Sequence, residues 1–205
     1  MANTKSNITK ITIIAMLSAV ATILQYLEFW IPLVPSFLKF DFSDLPELIG
    51  AFAVGPVGGI LIALIKNLLH AAVSQSFGIG EIANFVLGAI FAGTAGIIYK
   101  YKRTKTGALI ACIVGTVAMA GLSIVTNYFF VYPAYAKFMA MDQIIAAYAS
   151  ILPAANSLLK CLVIFNVPFT LVKGLLCSII AMLIYKPLSK MFVKLNTAFD
   201  KRGRK

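Results

Sequence analysis

Eight polar side chains within otherwise apolar segments could do chemistry in this sequence: Lys66, Asn67, His70, Asn84, Asn127, Asn166, Thr170 and Lys173. A polar group in such a segment is costly unless a partner group, water or a ligand completes its hydrogen bonds. Lys66 and His70 are four residues apart and share a helix face, as do Thr170 and Lys173, which are three apart. We therefore expect both pairs to face a wet cavity or partner groups.

Asn127 and Lys173 are the strongest candidates for binding a ligand. Lys173 lies well inside an apolar run, without an evident acidic partner in any span, and Asn127 precedes Tyr128, Phe129 and Phe130. An amide pairs a donor with an acceptor, which matches an imide edge, and aromatic rings supply apolar walls. The pattern favours a flat, uncharged, heteroaromatic ligand. The alternatives are hydrogen bonds between helices for the two polar residues and an interfacial belt for the aromatic ones.

The usual signatures of enzyme active sites are missing. The sequence contains no HExxH, no Walker A loop and no GxSxG, and His70 is its one histidine, which makes a poor metal site alone. For His70 and Lys66 a hydrogen bond between helices or a position at the headgroup level is favoured, and a role in a binding loop stays open. The three cysteines, Cys112, Cys161 and Cys177, have no metal-binding spacing and are expected to be packing residues. We predict a protein without catalytic activity, metal or cofactor.

The composition shows what kind of structure must position these residues. With 60% hydrophobic residues and a mean hydropathy of +0.92, the chain is too apolar for a water-soluble globule. We expect an all-α, multi-pass protein of the cell membrane, with residues 1–205 forming a single membrane domain in the lipid bilayer. The net charge of +11 does not indicate nucleic acid binding, because Lys and Arg gather at the ends of apolar segments.

Six transmembrane helices are predicted, separated by short polar breaks: 8–27, a second from about Asp44, 57 to about 73, about 82 to 99, 107 to about 131, and about 162 to 185. The first is kept as a span and not as a signal peptide, because the rest of the chain is equally apolar. Pro168 is expected to kink or unwind the sixth. Basic residues precede the first span, follow the fourth at 100–105 and follow the sixth through residue 205, which places the N and C termini in the cytoplasm.

The stretch LKFDFSDLPELIGAF, residues 38–52, is unusually rich in charge. Its second half is typical of a helix start, with Ser43 or Asp44 as cap, Pro46 in the first turn and Glu47 near the positive end of the helix dipole. We expect these charges to cap the second helix at the outer interface.

The same stretch, followed by GPVGGILIALIKNLLH, ANFVLGAIF, TNYFFVYP and PFTLVKG, closely resembles the riboflavin-specific S components of energy-coupling factor (ECF) vitamin transporters. The resemblance covers nearly the whole chain, in order. It implies a membrane protein of six helices that captures riboflavin from outside. It further implies partners: a transmembrane coupling subunit (the T component) and two ATP-binding subunits that supply the energy.

Carried over position by position, the resemblance assigns two sets of substrate-binding residues. The first forms the lid and wall, and the second supplies side-chain ligands: Leu38, Lys39, Phe40 and Asp41, then Asn127, Thr170 and Lys173. Thr170 departs from the family pattern, which often has Asn there, so that contact is expected to be lost or bridged by water. The glycine-rich loop 74–81 resembles a second part of the lid, with a plain helix connector as the alternative.

A small-residue face on the first helix predicts an interface. Ala15 and Ala19, with three residues between them, allow another helix to approach closely. The resemblance implies that this face docks on the coupling subunit, and packing within the same chain is the alternative.

Three competing functions remain open at this point. An S component for another vitamin would share the architecture. An intramembrane enzyme would need paired catalytic groups, which we do not find. An autonomous secondary carrier would use an ion gradient, and the expected absence of buried acids argues against proton coupling.

Overall fold

Long helices and short connections make up the computed structural model, which describes residues 2–74 and 76–187, with side chains from residue 7 onward. The helices within this part are α1 (Ala2–Tyr26), α2 (Asp44–Val54), α3 (Pro56–His70), α4 (Ile79–Tyr101), α5 (Lys105–Thr126), α6 (Tyr132–Tyr135), α7 (Met141–Ala149), α8 (Leu158–Cys161) and α9 (Val167–Leu183). The side chain of Lys5, the whole of Gln75 and the basic residues after 187 lie outside the described part.

Five helical segments of the described chain are long and apolar enough to cross a membrane: Asn7–Tyr26, Pro56–Val73, Ile79–Tyr101, Lys105–Tyr135 and Leu158–Leu183. They correspond to the first, third, fourth, fifth and sixth predicted spans. The all-α membrane fold is thereby confirmed.

The second predicted span is a much shorter helix. Eleven residues of α2 rise only about 16 Å, roughly half the thickness of the hydrocarbon core. The helix ends at Gly55, whose φ of 100° is readily adopted only by glycine, and Pro56 begins α3 immediately afterwards. The count of six spans is not confirmed, and the cytoplasmic position of the termini, which depends on it, stays a prediction.

Two long helices are interrupted by π-helical segments, Asn127–Val131 and Leu162–Asn166. Each segment ends two residues before a proline, Pro133 or Pro168. Proline lacks the N–H that an α-helix needs at that position, so the hydrogen bonding of the preceding turn is rearranged. The unwinding predicted at Pro168 takes this form.

The segment between α1 and α2, residues 27–43, is folded and not an open loop. We call it the lid, after the role that the resemblance implies for part of it. Its two short strands, β1 (Phe29–Trp30) and β2 (Lys39–Phe40), pair antiparallel, with Phe29 opposite Phe40. A hydrophobic cluster joins the lid to α6, α7 and the π-helical segment before α9, through buried residues that include Val34, Tyr148 and Phe165. The chain from α6 to α8 therefore contributes packed structure.

Helix α3 lies at the centre of the bundle and packs against α1, α2 and α4, while α5 joins α4 to α9. Close approach depends on small residues, since a Cβ at Gly59 would collide with Ala51 on α2 and Ala92 on α4. Cys112, Cys161 and Cys177 are all buried and free, which agrees with their predicted role in packing.

Candidate ligand-binding site

A cavity of about 630 Å³ opens between the lid and the ends of α1, α3, α4, α5 and α9. This volume lies within the usual range for small-molecule sites. Six of the seven predicted substrate-binding residues line it: Leu38, Lys39, Asp41, Asn127, Thr170 and Lys173. Phe40 does not, because its ring packs behind the wall against Phe29, Phe42 and Phe169.

Asn127 and Thr170 present unused hydrogen-bonding groups to this cavity. Both are buried, at 7% exposure each, because the helices shield them from everything except the cavity. Asn127 follows the buried Ala120 and Ser123 at regular helical spacing, so it lies on the continuation of the inner face of α5. Within the described residues neither side chain hydrogen bonds to another protein group, so both remain available to a ligand.

Lys173 has acidic partners, which corrects the expectation that it had none. Its Nζ lies 3.0 Å from Asp41 Oδ2 and 3.3 Å from Asp44 Oδ2. The lid folds back into the bundle, and thereby brings a carboxylate from 132 positions earlier in the chain to α9. Because an ammonium group has three donors, one N–H of Lys173 is left for a ligand.

Asp44 and Glu47 do not lie at the outer interface, where the sequence pattern predicted them. Neither caps α2 at an exposed interface, since both are fully buried and contact Lys66, at 3.0 Å from Asp44 Oδ1 and 2.6 Å from Glu47 Oε1. Ser43 makes no capping bond and instead bridges Lys66 to Asp41. Of the two alternatives favoured for Lys66, the structure shows the hydrogen bond between helices, to Asp44 of α2, and not a position at headgroup level. The expected absence of buried acids is wrong.

We call this group of Asp41, Ser43, Asp44, Glu47, Lys66 and Lys173 the charge cluster. All of these residues are at most 8% exposed. Burial alone would raise the pKa of Asp41, but Lys173 and Lys66, with the Ser43 hydroxyl, outweigh that effect and lower it to about 2. The Asp41 carboxylate therefore stays ionised at neutral pH and holds the ammonium of Lys173 at the cavity wall.

The aromatic walls of the cavity are not the ones predicted. Tyr128, Phe129 and Phe130 are 40–69% exposed and face outward from the bundle, as the belt alternative requires. Other rings line the cavity, from the lid and from α1, α6 and α9: Phe37, Tyr26, Tyr132, Tyr135 and Phe169. A ligand with a flat aromatic face would still find apolar walls here.

The loop between α3 and α4, together with the first turn of α4, lines another side of the cavity, where the resemblance implies a second part of the lid. Ser76, Gly80 and Glu81 line it, and the Glu81 carboxylate accepts hydrogen bonds from Ser74 at 2.8 Å and Ser76 at 3.1 Å. His70 lies 3.0 Å from the other oxygen of Glu81, which is the hydrogen bond between helices favoured for this residue.

Sequence reasoning missed several lining residues. Asn84 and Asn166 were recognised as buried polar groups but not as parts of the cavity wall. Asn166 accepts a hydrogen bond from Tyr148 at 2.7 Å and donates one to Tyr132 at 3.1 Å, which ties α7 to the site. The only signal for these residues was an amide inside an apolar run, whereas Tyr132 and Tyr148 carried no signal.

Comparison with known proteins agrees with this architecture. Residues 9–185 match the model of the family described as ECF transporter, substrate-specific component. Riboflavin transporter RibU of Staphylococcus aureus is 37% identical over 182 residues, covering 89% of this chain and 91% of that protein. Riboflavin transporter FmnP of Bacillus subtilis is 31% identical over 180 residues, covering 86% and 90%.

A solved structure described as the S component of a bacterial ECF transporter superimposes with a TM-score of 0.72 at 35% identity, covering 90% of this chain and 98% of that one. Fold, family model and relatives agree over nearly the whole length of this chain. The chain therefore belongs to the substrate-specific components of ECF transporters, a family of membrane transport proteins and not of enzymes.

Proposed function

We propose that this chain binds riboflavin and delivers it to the other subunits of an ECF importer in the cell membrane. The observation that carries the proposal is the convergence of Asn127, Thr170 and the remaining N–H of Lys173 on one cavity with aromatic walls. The names of the curated relatives, riboflavin transporters in both organisms, support the same ligand.

Each group in the cavity suits a part of a flavin. The Asn127 amide offers a donor and an acceptor side by side, which matches the imide edge of the ring system. The ammonium of Lys173, with its charge balanced by Asp41 and Asp44, donates to a neutral carbonyl acceptor. The apolar rings accommodate the flat faces, and the shorter Thr170 side chain contacts the ligand directly or through water.

Absorption and fluorescence of the purified protein test this function. We expect the detergent-solubilised chain to be yellow, or to quench added riboflavin with saturation at about one ligand per chain. If the protein is colourless and does not quench riboflavin fluorescence, but binds another vitamin from a panel, then that vitamin and not riboflavin is the ligand.

Coupling to partners uses a different surface, the face of α1 that carries Ala15 and Ala19. Both alanines are exposed within the described chain, as are Ile11, Met16 and Val20 on the same helix. We propose that the T component packs against this small-residue face, and that two ATP-binding subunits drive the cycle from the cytoplasm. Uptake of riboflavin into vesicles that contain the full complex, compared with vesicles that contain this chain alone, tests the dependence on partners.

A further inference from the structure

The charge cluster extends beyond the cavity to a lysine that no ligand would contact. Asp41, Asp44 and Lys173 line the cavity, whereas Lys66 is fully buried behind them and is not among the described lining residues. A lysine enclosed so completely is rare unless its charge is paired. The contacts of Lys66 show what it does there.

Two routes connect Lys66 to Lys173. In the first, Lys66 donates to the Ser43 hydroxyl, which donates to Asp41, whose second oxygen accepts from Lys173 at 3.0 Å. In the second, Asp44 bridges the two ammonium groups directly, with one oxygen 3.0 Å from Lys66 and the other 3.3 Å from Lys173. Both carboxylates that contact Lys173 are therefore linked to Lys66, Asp44 directly and Asp41 through Ser43.

The charge balance makes this arrangement depend on Lys66. Three carboxyl groups, on Asp41, Asp44 and Glu47, share two ammonium groups in the cluster. Loss of Lys66 would remove the ammonium group that contacts both Asp44 and Glu47 and would leave Lys173 as the one cation of the cluster, and a buried carboxylate without its partner is strongly unfavourable. Asp41 and Asp44 would then rearrange, and Lys173 with them.

The same contacts anchor the lid. Asp41 and Ser43 follow β2 directly, and the backbone N–H of Ser43 also donates to Asp41 at 2.7 Å. On the opposite side of Lys66, the Glu47 carboxylate lies against Gly88 of α4, where any Cβ would collide with it. Lys66 thus connects the end of the lid to the centre of the bundle.

We propose that Lys66 is a positioning residue for the ligand site: through Ser43, Asp44 and Asp41 it fixes the ammonium of Lys173 and anchors the lid, without touching the ligand. The ligand part of this inference rests on the proposed riboflavin function. The lid part does not, because it concerns the protein without ligand.

Riboflavin titration of variants tests the ligand part. We expect Lys66→Met to weaken affinity on the order of tenfold and Ser43→Ala, which removes only the bridging hydroxyl, by about threefold. Combining Lys66→Met with Lys173→Met should weaken affinity by less than the product of the two single effects, because Lys66 acts through Lys173. Tyr99→Phe is the control for general destabilisation, since it removes a buried hydrogen bond to Tyr185 elsewhere in the bundle.

A spin label on the lid tests the second part without ligand. Leu33 is 75% exposed and the three native cysteines are buried, so Leu33→Cys provides a selective attachment point. We expect higher label mobility with Lys66→Met or Ser43→Ala, and unchanged mobility with Tyr99→Phe.

The two readouts separate failure of this inference from failure of the proposed function. If the unmodified protein does not bind riboflavin, the proposed function fails and label mobility alone decides the role of Lys66. The inference would be overturned if Ser43→Ala and a folded Lys66→Met both bound riboflavin as tightly as the unmodified protein and both left the mobility of the lid label unchanged. If Lys66→Met does not fold, Ser43→Ala decides.

Discussion

Replacing Asn127 with alanine should weaken riboflavin binding without destabilising the protein. The Asn127 amide is 7% exposed, lines the cavity and makes no side-chain hydrogen bond within the described residues. Its loss therefore removes no hydrogen bond of the described protein, and we expect the free energy of unfolding of the ligand-free protein to change by less than about 0.5 kcal/mol. The ligand, by contrast, loses the partner for a buried imide edge.

The size of the affinity loss follows from that buried partner. Leaving a polar ligand group unsatisfied costs about 1–3 kcal/mol, which corresponds to a Kd higher by about 5- to 150-fold. Quenching of riboflavin fluorescence during titration measures the Kd, and thermal unfolding followed by circular dichroism measures stability. Asn156→Ala is a matched control, because this asparagine is exposed and its side-chain hydrogen bond within the described residues is to Lys160. A folded Asn127→Ala protein with the Kd of the unmodified chain would refute our assignment of this amide to the ligand.

Three further predictions concern other parts of the molecule. Lys173→Ala should lower both affinity and thermal stability, by about 3 kcal/mol or more of unfolding free energy, because it leaves a buried carboxylate unpaired, and unchanged unfolding would contradict the ion pairs seen here. Since the pKa of Asp41 is depressed from 3.8 to about 2, its contribution to stability is complete above its ordinary pKa and lost as the pH falls towards 2. Unfolding measured against pH should therefore show no loss from Asp41 between about pH 7 and 5 and a progressive loss below about pH 5, and a stability that did not fall between pH 5 and 2 would contradict the shift. Ala15→Trp or Ala19→Trp should abolish uptake by the full complex and leave riboflavin affinity unchanged, whereas Val117→Trp on the exposed face of α5 should affect neither; normal uptake in both alanine variants would place docking elsewhere.

The long spans were predictable because apolar composition over about 20 residues is a local property of the sequence. The charge cluster was not, because its decisive contact joins Asp41 to Lys173 across 132 positions. Charged residues between apolar runs are normally solvated at the interface, so the local pattern of Asp44 and Glu47 indicated a helix cap. Only folding of the lid into the bundle places them inside.

The directions of the residues around Asn127 were only partly predictable. Ordinary helical spacing from the buried Ser123 through Asn127 to Val131 turns the amide inward and the three aromatic residues after it outward, so the choice of those rings as cavity walls was wrong on local grounds. Tyr132 was not predictable, because it reaches the cavity five positions after Asn127 only through the wider turn of the π-helical segment.

The π-helical segments also determine how the site responds to changes in chain length. A π-turn closes its hydrogen bond over five residues and an α-turn over four, so each segment holds one residue more than a regular helix would. Deleting one residue from within Asn127–Val131 would therefore restore a regular turn and leave the residues beyond it facing as before, because the extra residue is confined to that turn. The same deletion within α5 would rotate everything beyond it by about 100°, since a regular helix has no residue to spare. Asn127 and Tyr132 would then turn away from the cavity, and the bonds of Tyr132 to Tyr148 and Asn166 would break, although the span would remain apolar and long enough to cross the membrane. A single-residue deletion in α5 would thus abolish recognition of the ligand, whereas one in the π-helical segment would be tolerated.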